Sequence, residues 1–381
     1  MYYITVMQSP AFHQMTLDEF LFNAFQRPID QREASITGTR TYEVESISDH
    51  FKRSLNVNAL ITALERFNSS TEHLRRRPRA QLYHTFYIPK KSGTGMRRID
   101  APNRELMDAL RSLKTLFETR FHVLYHTSAY AYVSGRCTVD AVRRHQANNS
   151  KWFGKLDLSN FFGSTTMEFL MKQISMVFPF SEVVRTQRGR AALEAALELG
   201  FLNGGLPQGT PLSPMLTNLM MIPVDFNLSK SLRQCPGKKF IYTRYADDFI
   251  ISSRYNFDIN EVTTIVSNIL RQFDAPFAIN AEKTRYGSSS GRNWNLGVML
   301  NKDNEITVGY KRKRHFKSML VNYIEAKNSG QGMSRDELQY IDGVHSYYRM
   351  VEPETIDKIV GSINEKYRIN VIRSIRQDMR V

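Results

Sequence analysis

Residues 243–253 read TRYADDFIISS, and they place two adjacent carboxylates, Asp247 and Asp248, inside an apolar run. Burying charge among Phe249, Ile250 and Ile251 is costly unless something pairs with it. The chain must therefore turn sharply at the doublet, so KFIYTRYADDFIISS reads as two strands around a tight turn. A third acid, Asp157, ends another short apolar strand, WFGKLDL. If the strands are neighbours in one sheet, three like charges cluster and stay ionised only beside cations. Hard carboxylate oxygens suit Mg²⁺, and two such ions clamp the attacking and leaving oxygens of an in-line displacement at phosphorus. The plain alternative is an Asp-rich hairpin turn.

The composition supports a phosphate-rich partner. Lysine and arginine outnumber acids 52 to 37, a net charge of +15, which favours nucleic acid over a membrane surface. Hydrophobic residues make up 41% of the 381 residues, enough for two or three substructures with real cores. No stretch reaches the roughly 18 apolar residues of a membrane span, and no basic segment precedes an apolar one at the start. Cys137 and Cys235 are too few for a disulfide framework, and no zinc spacing is present, so a cytoplasmic setting with free thiols is expected.

Along the chain the class is α+β. Residues 1–80 read as a helical extension, with Leu55, Ala59, Leu60 and Leu64 on one face, ending in RRRPR. LYHTFYIPKKSGTGMRRIDAP predicts strand, turn at Ser92–Gly95, and strand. Leu106, Leu110, Leu113 and Phe117 have helical spacing. Thr165 with Glu168 predicts a capping box, and Ser213-Pro214 an N-cap and first helical residue. NEVTTIVSNILRQF is a helix, NWNLGVMLN and EITVGY are short strands, and the pattern from Lys311 onward is helical.

Six ordered motifs then resemble those of reverse transcriptases: YIPKKSGTGMRRIDAP, KLDLSNFF, LPQGTPLSP, YADD, NAEKTRYG and NLGV. The resemblance covers roughly residues 80–345. It implies a right-hand polymerase with fingers (81–155), palm (156–300, with part of the fingers) and helical thumb (301–381). It also implies an RNA-directed DNA polymerase that uses a noncoding RNA template, an RNA/DNA duplex and dNTPs. Asp157, Asp247 and Asp248 would hold two Mg²⁺, with Mn²⁺ as a substitute. Lys283 would be a general acid near the leaving pyrophosphate. Lys90 and Arg97 would take the incoming triphosphate. Phe162, five residues after Asp157, would lie under its sugar, with Phe161 in the core. Gln208 would touch nucleotide or template. Leu296 and Gly297 resemble the turn that grips a primer end. Lys311, Arg312, Lys313, Arg314 and Lys317 would contact phosphates, and Arg75, Arg76, Arg77 and Arg79 form a second basic cluster.

Bacterial retron enzymes carry G-R-S and N-A-x-x-H, where this chain reads GRC and AVRRH, keeping His145. About 80 residues follow the palm, room for a thumb but not for an RNase H or endonuclease part. The resemblance thus implies a retron-like or antiphage-defence enzyme, with oligomerisation left open. The alternative class is an RNA-binding, maturase-like or scaffold protein on the same fold with catalysis lost.

Overall fold

The computed structural model describes residues 56–90, 95–290 and 297–380. Most of the expected N-terminal extension, with Leu55, lies outside them, as do Ser92, Gly93, Thr94 and Leu296. The first described elements are α1 (Val57–Ser70), capped by the Asn56 side chain, and the short α2 (Glu72–Arg75). The buried face of α1 is Leu60, Ile61, Leu64 and Phe67, whereas Ala59 is exposed. Strands β1 (Tyr83–Pro89) and β2 (Met96–Pro102) form an exposed antiparallel hairpin with Ile88 opposite Arg97. Helix α3 (Arg104–Thr119) follows, capped by Asn103, and buries all four residues whose spacing predicts it.

Helix α4 (Thr138–Ala147) precedes the central sheet, whose strands are β3 (Trp152–Asp157), β4 (Ile241–Tyr245), β5 (Asp248–Ser253) and β6 (Arg285–Ser288). Its order is β4-β5-β3-β6, antiparallel throughout. Between β3 and β4 lie α5 (Met167–Ile174), α6 (Phe180–Val183), α7 (Gln187–Glu198), α8 (Ser213–Met220) and α9 (Ile222–Gln234). Helix α10 (Ile259–Gln272) links β5 to β6. A small hairpin, β7 (Met299–Leu300) and β8 (Ile306–Thr307), leads into α11 (Tyr310–Asn328), α12 (Arg335–Val351), α13 (Pro353–Tyr367) and α14 (Val371–Asp378).

Two predicted helix starts are displaced by one residue. Thr166, not Thr165, caps α5 by accepting from the Phe169 amide, while the buried Thr165 hydroxyl donates to the Phe161 carbonyl. At α8 the Thr210 hydroxyl accepts from the Ser213 amide, so Ser213 is the first helical residue rather than the cap.

Strand alternation divides the sheet between two cores. Leu156, Phe249 and Ile251 point into the large core built with α3, α5 and α7 to α10. Phe153 and Ile250, on the other face, pack with Val139 and Val142 of α4 and with the helices that follow β8. Helix α4 thus packs on the second face of the sheet to which β3 belongs. His145 is buried on this second face between Ser252 and Thr243, with ring nitrogens 2.6 and 2.8 Å from their hydroxyls. Burial pushes it down to about 3, so it is a neutral core histidine.

Candidate active site

The sheet register brings the acids together. Asp157 at the end of β3 lies directly opposite Asp248 at the start of β5. Paired positions share a face, and so do residues two apart, so Lys155, Asp157 and Asp248 all project from the same side. Tyr245 pairs with Asp248, leaving Ala246 and Asp247 as a two-residue turn. The Leu158 amide donates to the Asp247 carbonyl at 3.1 Å, which fixes that turn against the end of β3.

Two lysines meet the acids. Lys283 Nζ is 2.8 Å from Asp157 Oδ1, and Lys155 Nζ is 2.8 Å from Asp248 Oδ2. The Asn280 amide donates to the Asp157 carbonyl at 2.8 Å and so seats the Lys283 turn beside β3. Burial, then the Asp248 charge, raises the Asp247 carboxyl above the usual carboxylate range. Burial also raises Asp248, with Lys155 opposing it. The hydrogen bond to Asp157 raises Lys283, so it holds its proton firmly.

Among the described residues, no three His, Cys, Asp or Glu side chains form a finished metal cage. Mg²⁺ does not require one, because it typically takes one or two carboxylates and fills its shell with water and substrate phosphates. Asp247 and Asp248, pushed up by burial and neighbouring negative charge, are hard oxygen donors short of positive charge, and with Asp157 opposite Asp248 in register the three acids fit divalent cations.

The residues expected to face a nucleotide come from separate elements. The Asp100 amide in β2 donates to the Gln208 carbonyl at 2.8 Å. Gly209, at φ +121°, lies so close that a Cβ there would come within 3.0 Å of the Asp100 carbonyl oxygen. The loop carrying Gln208 is therefore bolted to the base of the β1–β2 hairpin, on which Lys90 and Arg97 are exposed. The same loop holds the other wall, since the Leu206 amide donates to the Phe162 carbonyl at 3.0 Å. Phe161 is buried against Phe277, with ring centroids 5.0 Å apart. Phe162 is half-buried and meets the edge of Tyr132 at 6.5 Å. Tyr132 is 52% exposed, and partial burial followed by the charge of Asp247 raises its hydroxyl, with Arg97 opposing.

The basic clusters divide. Arg75 donates to the Ala195 carbonyl at 3.2 Å and to the Asn68 carbonyl, pinning α1 to α7. Arg76 pairs with Glu72, Arg77 with Glu105 and Arg79 with Glu198. In this cluster Arg75 and Arg79 are thus engaged within the fold, whereas the pairs made by Arg76 and Arg77 are exposed. On α11, Lys313 bonds Glu352 at 2.6 Å and Arg312 donates to the carbonyl of Gly297, which sits at φ +90°. Lys311, Arg314 and Lys317 are exposed.

Sequence reasoning missed Lys155 and Tyr132. Lys155 had a signal, because it lies two residues before Asp157 and so shares its face. Tyr132 sits in an irregular segment at φ +60°, where no periodicity exists to read.

Residues 88–317 match the family model "Reverse transcriptase (RNA-dependent DNA polymerase)". The chain is 27% identical to Retron Ec83 reverse transcriptase from Escherichia coli, over 80% of this chain and 92% of that protein. It is 28% identical to Retron Mx65 reverse transcriptase from Myxococcus xanthus, over 75% of this chain and 65% of that one. Among solved structures, telomerase from Candida albicans aligns at TM-score 0.44 and 12% identity, covering 77% of this chain and 66% of that chain. No helix among the described residues is long and apolar enough to cross a membrane.

Proposed function

The chain belongs to the reverse transcriptase (RNA-dependent DNA polymerase) family, and from that premise we propose that it copies a dedicated noncoding RNA into DNA by two-metal nucleotidyl transfer. The observation that carries the chemistry is the register of Asp157 opposite Asp248, with Asp247 on the intervening turn and Lys283 2.8 Å from Asp157. Two divalent cations, Mg²⁺ or Mn²⁺, held by Asp157 and Asp247 with Asp248 beside them, would supply charge neutralisation at the attacking and leaving oxygens.

The chain's own residues do the rest. Lys90 and Arg97 receive the triphosphate, where a point charge and a planar fork suit phosphate oxygens. Phe162 and Tyr132 wall the sugar, and the ring of Phe162 leaves no room for a 2′-hydroxyl. Lys283 carries a proton at Nζ for the departing pyrophosphate. The loop of Leu206 and Gln208 keeps the hairpin and the Phe162 turn at a fixed separation, through the Gln208 carbonyl to Asp100 and the Leu206 amide to Phe162.

A retron-like setting is supported by kinship with retron reverse transcriptases, and the dedicated RNA and a role in antiphage defence are proposed with it. The test is to sequence the nucleic acid that co-purifies with the protein. One dominant RNA species joined to or paired with complementary DNA is expected. A broad sample of cellular RNA with no DNA copy would sink the dedicated-template reading.

Exposed charges on α11 are proposed to hold template–primer. Replacing Lys311, Arg314 and Lys317 with Ala should weaken binding to all sequences alike. It should also flatten the salt dependence by about one slope unit per lost phosphate contact. Lys313→Ala should instead lower thermal stability, because it removes the cation beside Glu352 and leaves that carboxylate only the Thr307 hydroxyl and Val308 amide. An unchanged salt slope in the triple variant would mean these side chains are ordinary surface.

A further inference from the structure

Arg244 lies on the strand that leads into the acid-bearing turn, and it is fully buried together with Asp225 of α9. Its Nε reaches both Asp225 oxygens, at 2.9 and 3.1 Å, and its Nη2 reaches Oδ2 at 2.8 Å. The Tyr242 hydroxyl donates to the same carboxylate at 2.7 Å. The remaining nitrogen, Nη1, donates to Asn218 Oδ1 at 3.1 Å and to the Ala246 carbonyl at 3.2 Å.

Desolvating such a pair is expensive, and apolar residues of equal volume often stabilise a fold as well or better. Stability alone therefore does not explain why charge sits here. What an apolar pair could not do is hold the Ala246 carbonyl. Ala246 is the first residue of the two-residue turn and adopts φ +56°. A side chain in that region costs about 1–2 kcal/mol, and hairpin turns with positive φ at this position favour glycine. The next residue is Asp247.

We propose that Arg244 is a positioning residue for catalysis: by gripping the Ala246 carbonyl it keeps the strained turn closed and so sets where the Asp247 carboxylate points. Asn218 belongs to the same device. Its amide donates to the Ala131 carbonyl at 2.8 Å, and the Tyr130 amide donates to the Arg244 carbonyl at 2.9 Å. One guanidinium thereby joins the Asp247 turn to the segment that presents Tyr132 to Phe162. The inference rests on the polymerase activity of the chain.

Arg244→Lys keeps a cation for Asp225 but lacks the planar fork that reaches Asp225, Asn218 and Ala246 together. Template–primer affinity and the KM for dNTP should stay within about twofold of wild type, while kcat falls on the order of 10- to 10²-fold, the scale of a displaced reacting group. Adding Ala246→Gly to Arg244→Lys should restore most of the lost kcat, because glycine takes positive φ without a steric penalty. Asn218→Ala leaves the ion pair whole and should give a smaller kcat loss, also restored by Ala246→Gly. Wild-type kcat in both variants, or losses that Ala246→Gly does not restore, would overturn the proposal. Wild-type protein assayed alongside separates the two possible failures, since an inactive wild type would count against the polymerase activity itself.

Discussion

Replacing Asp247 with Asn should abolish DNA synthesis and leave the metal-free protein more stable. The loss of activity should be on the order of 10³-fold, as expected when charge stabilisation at the reacting phosphorus is removed. The stability gain follows from the raised carboxyl. Burial and the Asp248 and Asp157 charges lift Asp247 above its usual range in the folded state. A carboxyl lifted in this way supports folding fully only below its unfolded value of about 3.9. That support is lost as pH rises through the folded value, so at neutral pH the ionised group opposes folding. Asparagine keeps the shape and removes the charge. Asp248→Asn should gain less, because it strands the Lys155 ammonium. Thermal melts in EDTA at pH 7, beside dNTP incorporation with Mg²⁺, check both halves. A variant that still polymerises, or that melts well below wild type, would contradict this reading of the acids.

The second large effect concerns sugar choice. Phe162→Ala or Phe162→Val should admit ribonucleotides, lowering the preference for dNTP over rNTP roughly 10- to 10²-fold, the usual reach of a steric pocket. Phe161→Ala should leave the preference alone and instead cost about 3–5 kcal/mol of stability, as truncation of a buried ring does. The two rings are adjacent in sequence but differ in setting. Phe161 is locked between Phe277 and Phe162, whereas Phe162 is half-buried with its edge to Tyr132. Its backbone is tied to the Gln208 loop, so truncation should open space without moving the wall. Matched dNTP and rNTP incorporation by wild type and both variants decides the matter. An unchanged preference in Phe162→Ala would remove it from the sugar pocket.

The acids were legible in the sequence because charge inside an apolar strand is an anomaly that demands an explanation. The sheet later supplied what spacing could not, namely that Asp157 and Asp248 face each other in register. The basic clusters were legible only as charge. Arg75 joins its local partner Asn68 to the Ala195 carbonyl of α7, more than a hundred residues away, and Arg79 pairs with Glu198 on the same helix. No local pattern distinguishes such residues from solvent-facing ones such as Arg314. The cap positions expected at Thr165 and Ser213 differ by one because two hydroxyls stand near each helix start: Thr165 turns back to the Phe161 carbonyl, and the Thr210 hydroxyl takes the Ser213 amide. Arg244 carried a signal of the same kind as the aspartates, a charge in an apolar strand. Its partner Asp225, however, lies on a helix that gives no sequence hint of contact.

The most direct test of the central claim is primer extension on a defined RNA template with a DNA primer, four dNTPs and Mg²⁺. Wild-type protein should extend the primer to the template end, EDTA should stop it, and Asp247→Asn should give no product above background. Failure of the wild type to extend under these conditions, or extension by Asp247→Asn at the wild-type rate, would contradict RNA-directed DNA synthesis at Asp157, Asp247 and Asp248.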